Sequence, residues 1–256
     1  MTQDSSPPND QVLVVIPARY GSTRFPGKAL ADLAGKPLIV RVVENAASIT
    51  EADAIIVATD DSRIEEAVLA AGFLCEMTAD HPTGTDRIGE VAARHPADII
   101  LNLQGDEPLL DCRDIDRLIS TMREDSALDI ATCAHSFADE ASWRDPNNVK
   151  VIRDGHDQAL YFSRAPIPGT FPGADAPAYK VARRHVGIYA FRRRALQRFL
   201  GLERTPLELT EGLEQLRALE NGMRIKVLDI ANAPVGVDTP EDLEKVRLLW
   251  HQQKGS

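Results

Sequence analysis

Three short apolar runs, Val12 to Ile16, Ala54 to Ala58 and Ile99 to Leu103, alternate with segments of helical periodicity at Leu38 to Ser48, Ser62 to Ala71, Thr85 to Arg94 and Ile115 to Arg123. Runs that short and nearly free of polar residues suit strands buried on both faces, with the intervening helices as their cover. The alternation predicts an α/β fold built on a doubly wound parallel sheet, where ligands bind beyond the carboxyl ends of the strands. From about Asp145 to Arg193 the pattern changes to strand-like pieces, VKVIR, ALYFS and HVGIYAF, around the Pro/Gly-rich stretch PIPGTFPGADAP. This reads as a β-rich insertion with a mobile loop. The chain then returns to α/β with a helix from Leu207 to Glu220, a strand from Ile225 to Ile230 and a closing helix from Pro240. Residues 1–10, MTQDSSPPND, read as a disordered tail, and 11–256 as one domain carrying the insertion at about 145–193.

With 256 residues, 43% of them hydrophobic, the chain can bury a full core. Its formal net charge of −10 argues against a nucleic acid or an anionic membrane as partner, so an anionic ligand must be met locally. The start lacks the basic and apolar regions of a leader, and no apolar run approaches the ~20 residues of a membrane span, which points to the cytoplasm. Cys75, Cys112 and Cys133 are far apart and lack metal-type spacing, so they are expected to be buried free thiols.

Local positive charge is concentrated in one place. LVVIPARYGSTRFPGKAL, residues 13–30, runs from the first apolar segment straight into Arg19, Gly21, Arg24, Gly27 and Lys28. The stretch is not a Walker A loop, because Ala29 follows Gly27-Lys28 where Ser or Thr is required, and it is not GxGxxG. What remains is a loop whose glycines permit unusual backbone angles, whose amides are free to face an anion and whose three cations suit a triphosphate.

Two acidic motifs complement it. ADIILNLQGDEPLL places Gln104, Asp106 and Glu107 just past the third apolar run. Acids beside a polyphosphate repel it unless a hard cation such as Mg²⁺ joins them, although an acid before proline also serves as a turn or cap residue. In GVDTPEDL, Thr239, Pro240 and Asp242 have the pattern of a capped helix start, which leaves Asp238 without a structural duty.

Taken together, VVIPARYGSTRFPGK, HPTGTDRI, NLQGDEP, FSRAPIP, RRHVGIYAF, LEQLR and GVDTPEDL closely resemble the 3-deoxy-manno-octulosonate cytidylyltransferases, or CMP-Kdo synthetases, in order from about Val14 to Arg247. The resemblance implies a Rossmann-like nucleotidyltransferase of the nucleotide-diphospho-sugar transferase type. It also implies a Mg²⁺-dependent homodimer, dimerising through its insertion, that couples CTP to the sugar acid Kdo for lipopolysaccharide synthesis and releases pyrophosphate. By matching position it makes Ala18, Arg19, Ser22 and Lys28 the triphosphate cradle, with Arg19 and Lys28 catalytic. Gly84, Thr85, Arg87 and Gln104 become nucleotide-binding residues, and Asp106 and Asp238 both metal ligands and catalytic groups. Thr83 and Asp86 stand where the family usually has Ser and Glu. A cytidylyltransferase for another sugar acid, 8-amino-Kdo or sialic acid, and a non-catalytic nucleotide-binding regulator are the competing readings.

A 2-keto-3-deoxy sugar acid needs a fixed cation for its carboxylate and hydrogen-bonding partners for its hydroxyls. Arg164 in FSRAPIP supplies the cation, and His185 and Tyr189, at alternating positions of a strand, fall on one face. In LELTEGLEQLRAL, Leu209, Leu213 and Leu216 form a core stripe with Glu211 and Gln215 opposite. From the residues alone, a solvated helix face and a structural histidine are the preferred readings of these positions. The resemblance assigns His185, Tyr189, Glu214 and Gln215 to the sugar.

Overall fold

A computed structural model describes residues 10–21 and 24–254, so the expected disordered tail, apart from Asp10, and Ser22 lie outside the described residues. The chain divides into two compact units, residues 1–120 with 234–256, and residues 121–233.

In the first unit the chain runs β1 (Val12–Ala18), a small hairpin of β2 (Asp32–Leu33) and β3 (Lys36–Pro37), α1 (Leu38–Ala46), β4 (Ala54–Thr59), α2 (Ser62–Ala70), β5 (Leu74–Met77), α3 (Gly84–Arg94), β6 (Ile99–Asn102) and most of α4 (Cys112–Glu124), whose last residues from 121 are counted with the second unit. The four principal strands are all parallel, in the order β6-β1-β4-β5. The chain thus winds outward from β1 through β4 to β5 and then crosses back to the other side of β1. Strand order reverses between β1 and β6, which is where α/β sheets open a ligand crevice. β1 and β6 are buried almost throughout, as their unbroken apolar runs predict. In α1, Leu38, Ile39, Val42, Val43 and Ala46 are buried at helical spacing, the stripe that covers the sheet.

The second unit contains β7 (Ile130–Ser136), α5 (Glu140–Arg144), β8 (Lys150–Arg153), β9 (Ala159–Ser163), α6 (Ala178–Val181), β10 (Arg183–Arg192), α7 (Arg193–Leu200), α8 (Pro206–Glu211), α9 (Gln215–Glu220) and β11 (Ile225–Asp229). β11 is parallel to β7, whereas β7–β10, β10–β8 and β8–β9 are antiparallel; β8, β9 and β10 fall in the strand-rich region that the sequence places around 145–193, and β7 precedes it. The expected helix from Leu207 to Glu220 is two helices. Gly212 adopts φ +63° and ends α8, so the turn is left-handed and the helical register is lost. Leu213 and Leu216 remain buried, but Leu209, expected in the core stripe, is 57% exposed because the break rotates α8 away from that stripe. Cys112 and Cys133 are buried, Cys75 is half-buried, and none of the three forms a disulfide among the described residues; burial pushes the Cys75 thiol up to about 12. A last helix, α10 (Pro240–Lys254), belongs to the first unit, where Leu243, Val246 and Trp250 pack with Leu33 and Leu38. Among the described residues no helix is long and apolar enough to cross a membrane.

Candidate active site

β1 ends at Ala18 and delivers the chain into the cationic loop. The loop is closed by Gly27 N donating to the Tyr20 carbonyl at 3.0 Å. Gly27 sits at φ +72°, and a Cβ there would lie 3.2 Å from the Tyr20 hydroxyl, so glycine is required both by backbone angle and by contact. The Arg63 guanidinium stacks on the Tyr20 ring, 3.5 Å from its centre. Lys28 follows in a 3-10 turn, Lys28–Leu30.

The end of β6 approaches β1 more closely than side chains permit. A Cβ on Gly105 would lie 2.7 Å from the Pro17 carbonyl oxygen, so only glycine lets QGDEP run beside the loop. Val237 N donates to the Asp106 carbonyl at 3.0 Å, which draws GVDTPED alongside. As the sequence suggests, Thr239 and Asp242 cap α10 reciprocally: Asp242 N donates to Thr239 Oγ1 and Thr239 N to Asp242 Oδ2, both at 3.2 Å. The Asp238 carboxylate is left for the crevice.

The consequence is a compact charge cluster. Lys28 Nζ donates to Asp106 Oδ2 at 2.6 Å and to Asp238 Oδ1 at 3.4 Å, and Arg24 Nη2 pairs with Asp238 Oδ2 at 3.0 Å. Two carboxylates that share one ammonium nitrogen are close enough to share one cation. Beside them Glu107 is pushed up to about 8, first by burial and then by the Asp106 charge. The cluster lies in a cleft of about 310 Å³ that Ala18, Arg19, His81, Gly84, Arg87 and Gln104 also line. Of the sequence-derived nucleotide set, the structure therefore gathers Ala18, Arg19, Lys28, Gly84, Arg87, Gln104, Asp106 and Asp238 at one place. Thr85 is buried in the first turn of α3 behind Gly84.

Two side chains have fuller structural duties than the sequence discloses. Arg87 is 3% exposed, and its guanidinium donates to Asp60 Oδ2 at 2.7 Å and to Thr78 Oγ1 at 2.5 Å. Asp86, the substituted acid of the HPTGTDRI loop, exchanges hydrogen bonds with Thr83 at the start of α3. His81 was not singled out in the sequence. It lines the cleft with Nε2 bonded to Glu90 Oε2 at 2.6 Å.

In the second unit, β10 carries an irregularity between Val186 and Tyr189, where three steps face one step of β7, from Cys133 to Thr132. The two extra residues keep side-chain parity, so His185 and Tyr189 remain on one face with ring centres 5.4 Å apart. The His185 ring meets the edge of Phe162, and its Nε2 lies 3.0 Å from Thr132 Oγ1. Burial lowers the His185 pKa to about 3 and raises that of the Tyr189 hydroxyl, to which the nearby Glu214 charge adds. Gln215 is buried at the start of α9. Arg164 is exposed, and its Nε donates to the Glu211 carbonyl at 2.7 Å, next to the Gly212 break. Sequence reasoning missed Lys150, which is fully buried and donates to the carbonyls of Asp145 and Arg164 at 2.8 and 2.7 Å.

A parallel α/β sheet with a cationic loop and paired carboxylates at its switch point defines a nucleotidyltransferase, and a cytidylyltransferase family model matches residues 13–225. The 3-deoxy-manno-octulosonate cytidylyltransferase of Syntrophotalea carbinolica is 48% identical over 241 residues, covering 92% of this chain and 96% of that one; the Escherichia coli protein of that name is 46% identical over 245, covering 95% and 97%. A solved structure of CMP:2-keto-3-deoxy-manno-octonic acid synthetase complexed with CTP superposes with a TM-score of 0.90 at 45% identity, covering 95% of this chain and 99% of that one. The chain belongs to the 3-deoxy-manno-octulosonate cytidylyltransferase family. At 14% identity and a TM-score of 0.65, 4-diphosphocytidyl-2C-methyl-D-erythritol synthase of Anaerococcus prevotii shares the fold.

Proposed function

We propose that the protein transfers CMP from CTP to Kdo, giving CMP-Kdo and pyrophosphate for lipopolysaccharide synthesis, with Mg²⁺ as cofactor. The observation that carries this reading is the Lys28 ammonium shared by Asp106 and Asp238 beside the cationic loop. In the reaction the anomeric hydroxyl oxygen of Kdo bonds to the α-phosphorus of CTP as the bond to the pyrophosphate oxygen breaks, and the hydroxyl proton passes to water. Arg19, Arg24 and Lys28 hold the phosphate charge and orient the chain for in-line attack, and the first turn of α3 adds main-chain N–H groups toward the nucleotide.

The donor set fits Mg²⁺. Two converging carboxylates, with phosphate and water oxygens completing the shell, are what this hard cation takes. Asp106 and Asp238 would hold it, and when bound it supplies charge neutralisation on the transferring phosphate. Arg164 receives the sugar carboxylate, while His185, Tyr189, Glu214 and Gln215 serve the hydroxyls. A histidine and a tyrosine both held neutral by burial support that role, because they offer hydrogen bonds without a net charge that would attract phosphate instead. A cytoplasmic homodimer is part of the proposal; the exposed Leu160, Val181 and Leu209 of the second unit support the dimer.

Pyrophosphate release measured with CTP, Mg²⁺ and a panel of Kdo, 8-amino-Kdo and sialic acid tests the assignment. Kdo is expected to be turned over at least about tenfold faster than the others, and CTP far better than ATP or GTP. Equal turnover of sialic acid, or of a purine triphosphate, would overturn it.

A further inference from the structure

Arg164 is exposed, yet each polar group of its main chain is held by an ionised side chain. Its N–H donates to Glu211 Oε2 at 2.8 Å, and its carbonyl accepts from the buried Lys150 ammonium at 2.7 Å. The second Glu211 oxygen accepts from Ser163 Oγ at 2.6 Å, and Lys150 ties the same knot to the Asp145 carbonyl. A carboxylate on one side of a residue and an ammonium on the other are far more than the end of a strand needs, since main-chain partners would serve there at less desolvation cost.

The guanidinium is aimed as well as anchored. Of its five N–H groups, Nε donates to the Glu211 carbonyl at 2.7 Å, one on Nη1 to Pro146 O at 3.3 Å and one on Nη2 to Gly212 O at 3.5 Å. Among the described residues the other two N–H groups, one on each terminal nitrogen, have no acceptor, and the two terminal nitrogens of a guanidinium can bind a carboxylate with two parallel hydrogen bonds. The acceptors at 211 and 212 exist because Gly212, at φ +63°, ends α8 there.

We infer that Glu211 and Lys150 are positioning residues that act through Arg164, presetting its two free N–H groups for the carboxylate of the acceptor sugar acid. The inference rests on the reading of Arg164 as the sugar-acid cation. It assigns a part in acceptor recognition to a carboxylate that itself would repel an acid, and to a lysine that no ligand can reach. Fixing a long side chain before the ligand arrives lowers the KM for that ligand and leaves the chemical step alone.

The experiment is a double-mutant cycle read as separate kcat and KM values, with CTP affinity measured by calorimetry in the absence of sugar. Glu211→Gln keeps shape but has one acceptor oxygen where two are used; it should raise the KM for Kdo about tenfold, change kcat less than about threefold and leave CTP affinity unaltered. Ser163→Ala, a milder change that releases one Glu211 oxygen, should move the same KM in the same direction by about two- to fivefold. With Arg164→Ala already present, Glu211→Gln should add nothing, because its effect passes through the missing guanidinium. Losses that multiply in the double variant, or an unchanged KM for Kdo in both Glu211→Gln and Ser163→Ala, would overturn the inference while a raised KM in Arg164→Ala still upheld the sugar-acid reading. An unaltered KM for Kdo in Arg164→Ala itself would overturn that reading.

Discussion

The two units solve opposite electrostatic problems. In the first, Arg24, Lys28, Asp106 and Asp238 stand at the ends of parallel strands, with 50% of the Asp238 side chain exposed, and their charges are balanced by one another. In the second, His185 and Tyr189 are crowded among aromatic rings and kept neutral, while Lys150 and Glu211 are spent on the main chain of Arg164. A triphosphate changes its charge distribution during reaction and rewards ions that face it. A polyhydroxylated sugar rewards hydrogen bonds held in place. The contrast teaches that net charge over the whole chain, −10, says little about a site whose cations come from the short stretch Arg19 to Lys28.

The contrast breaks most visibly if charge can be removed from the first unit without penalty. Asp106→Asn and Asp238→Asn keep shape and take away one charge each; either should reduce turnover by about three orders of magnitude and raise the Mg²⁺ concentration needed for half-maximal rate, with little change in melting temperature. Steady-state rates across a Mg²⁺ titration measure both. If the two losses multiply in the double variant, the carboxylates do not act as a unit and the contrast loses its first half.

A smaller effect is expected at Lys28, whose ammonium both faces the cleft and separates the two acids. Lys28→Ala should lower kcat by about two orders of magnitude. Thermal unfolding should move by no more than a few degrees, roughly the worth of a partly exposed ion pair. A large loss of stability with turnover preserved would make the cluster a structural device.

The smallest effect sharpens the second half. His185 is held near 3 when folded against about 6.5 unfolded. Between those values the unfolded chain carries the extra proton, so the stability that neutral His185 allows is complete above about pH 6.5 and is lost as pH falls. Relative to His185→Gln, the wild-type protein should lose about 1–2 kcal/mol between pH 7 and pH 5 in urea unfolding. Parallel pH profiles of the two proteins would show that His185 is not buried as a neutral group.

The first unit was largely legible in the sequence because its chemistry sits where local rules put it. The cationic loop and QGDEP each follow an apolar run, and the capping roles of Thr239 and Asp242 identified Asp238 by leaving it over. Arg87 was less so, since its bonds to Asp60 and Thr78 tie helix α3 to the ends of β4 and β5 and have no sequence signature. The second unit resisted reading for reasons of backbone geometry. Gly212 lies inside a segment whose leucines keep helical spacing, and a glycine there costs only about 1 kcal/mol in a helix, so nothing local announces a left-handed turn. Gly187 within HVGIYAF was the available sign of the irregularity in β10. The knot of Lys150, Arg164 and Glu211 spans three separate segments, and the carbonyls that hold its guanidinium lie at that unread turn.

Gly105 has a bearing on how such a site can change over evolutionary time. Because a Cβ there would collide with the Pro17 carbonyl, the gap between the two loops is set by main chain against main chain. Neighbouring positions such as Gln104 can exchange one functional group for another and retune what the cleft accepts, but no substitution at them alters its gauge. Specificity can drift while the span that a phosphate chain must fit stays constant, and a designer who wanted a wider cleft would have to rebuild the meeting of two strands.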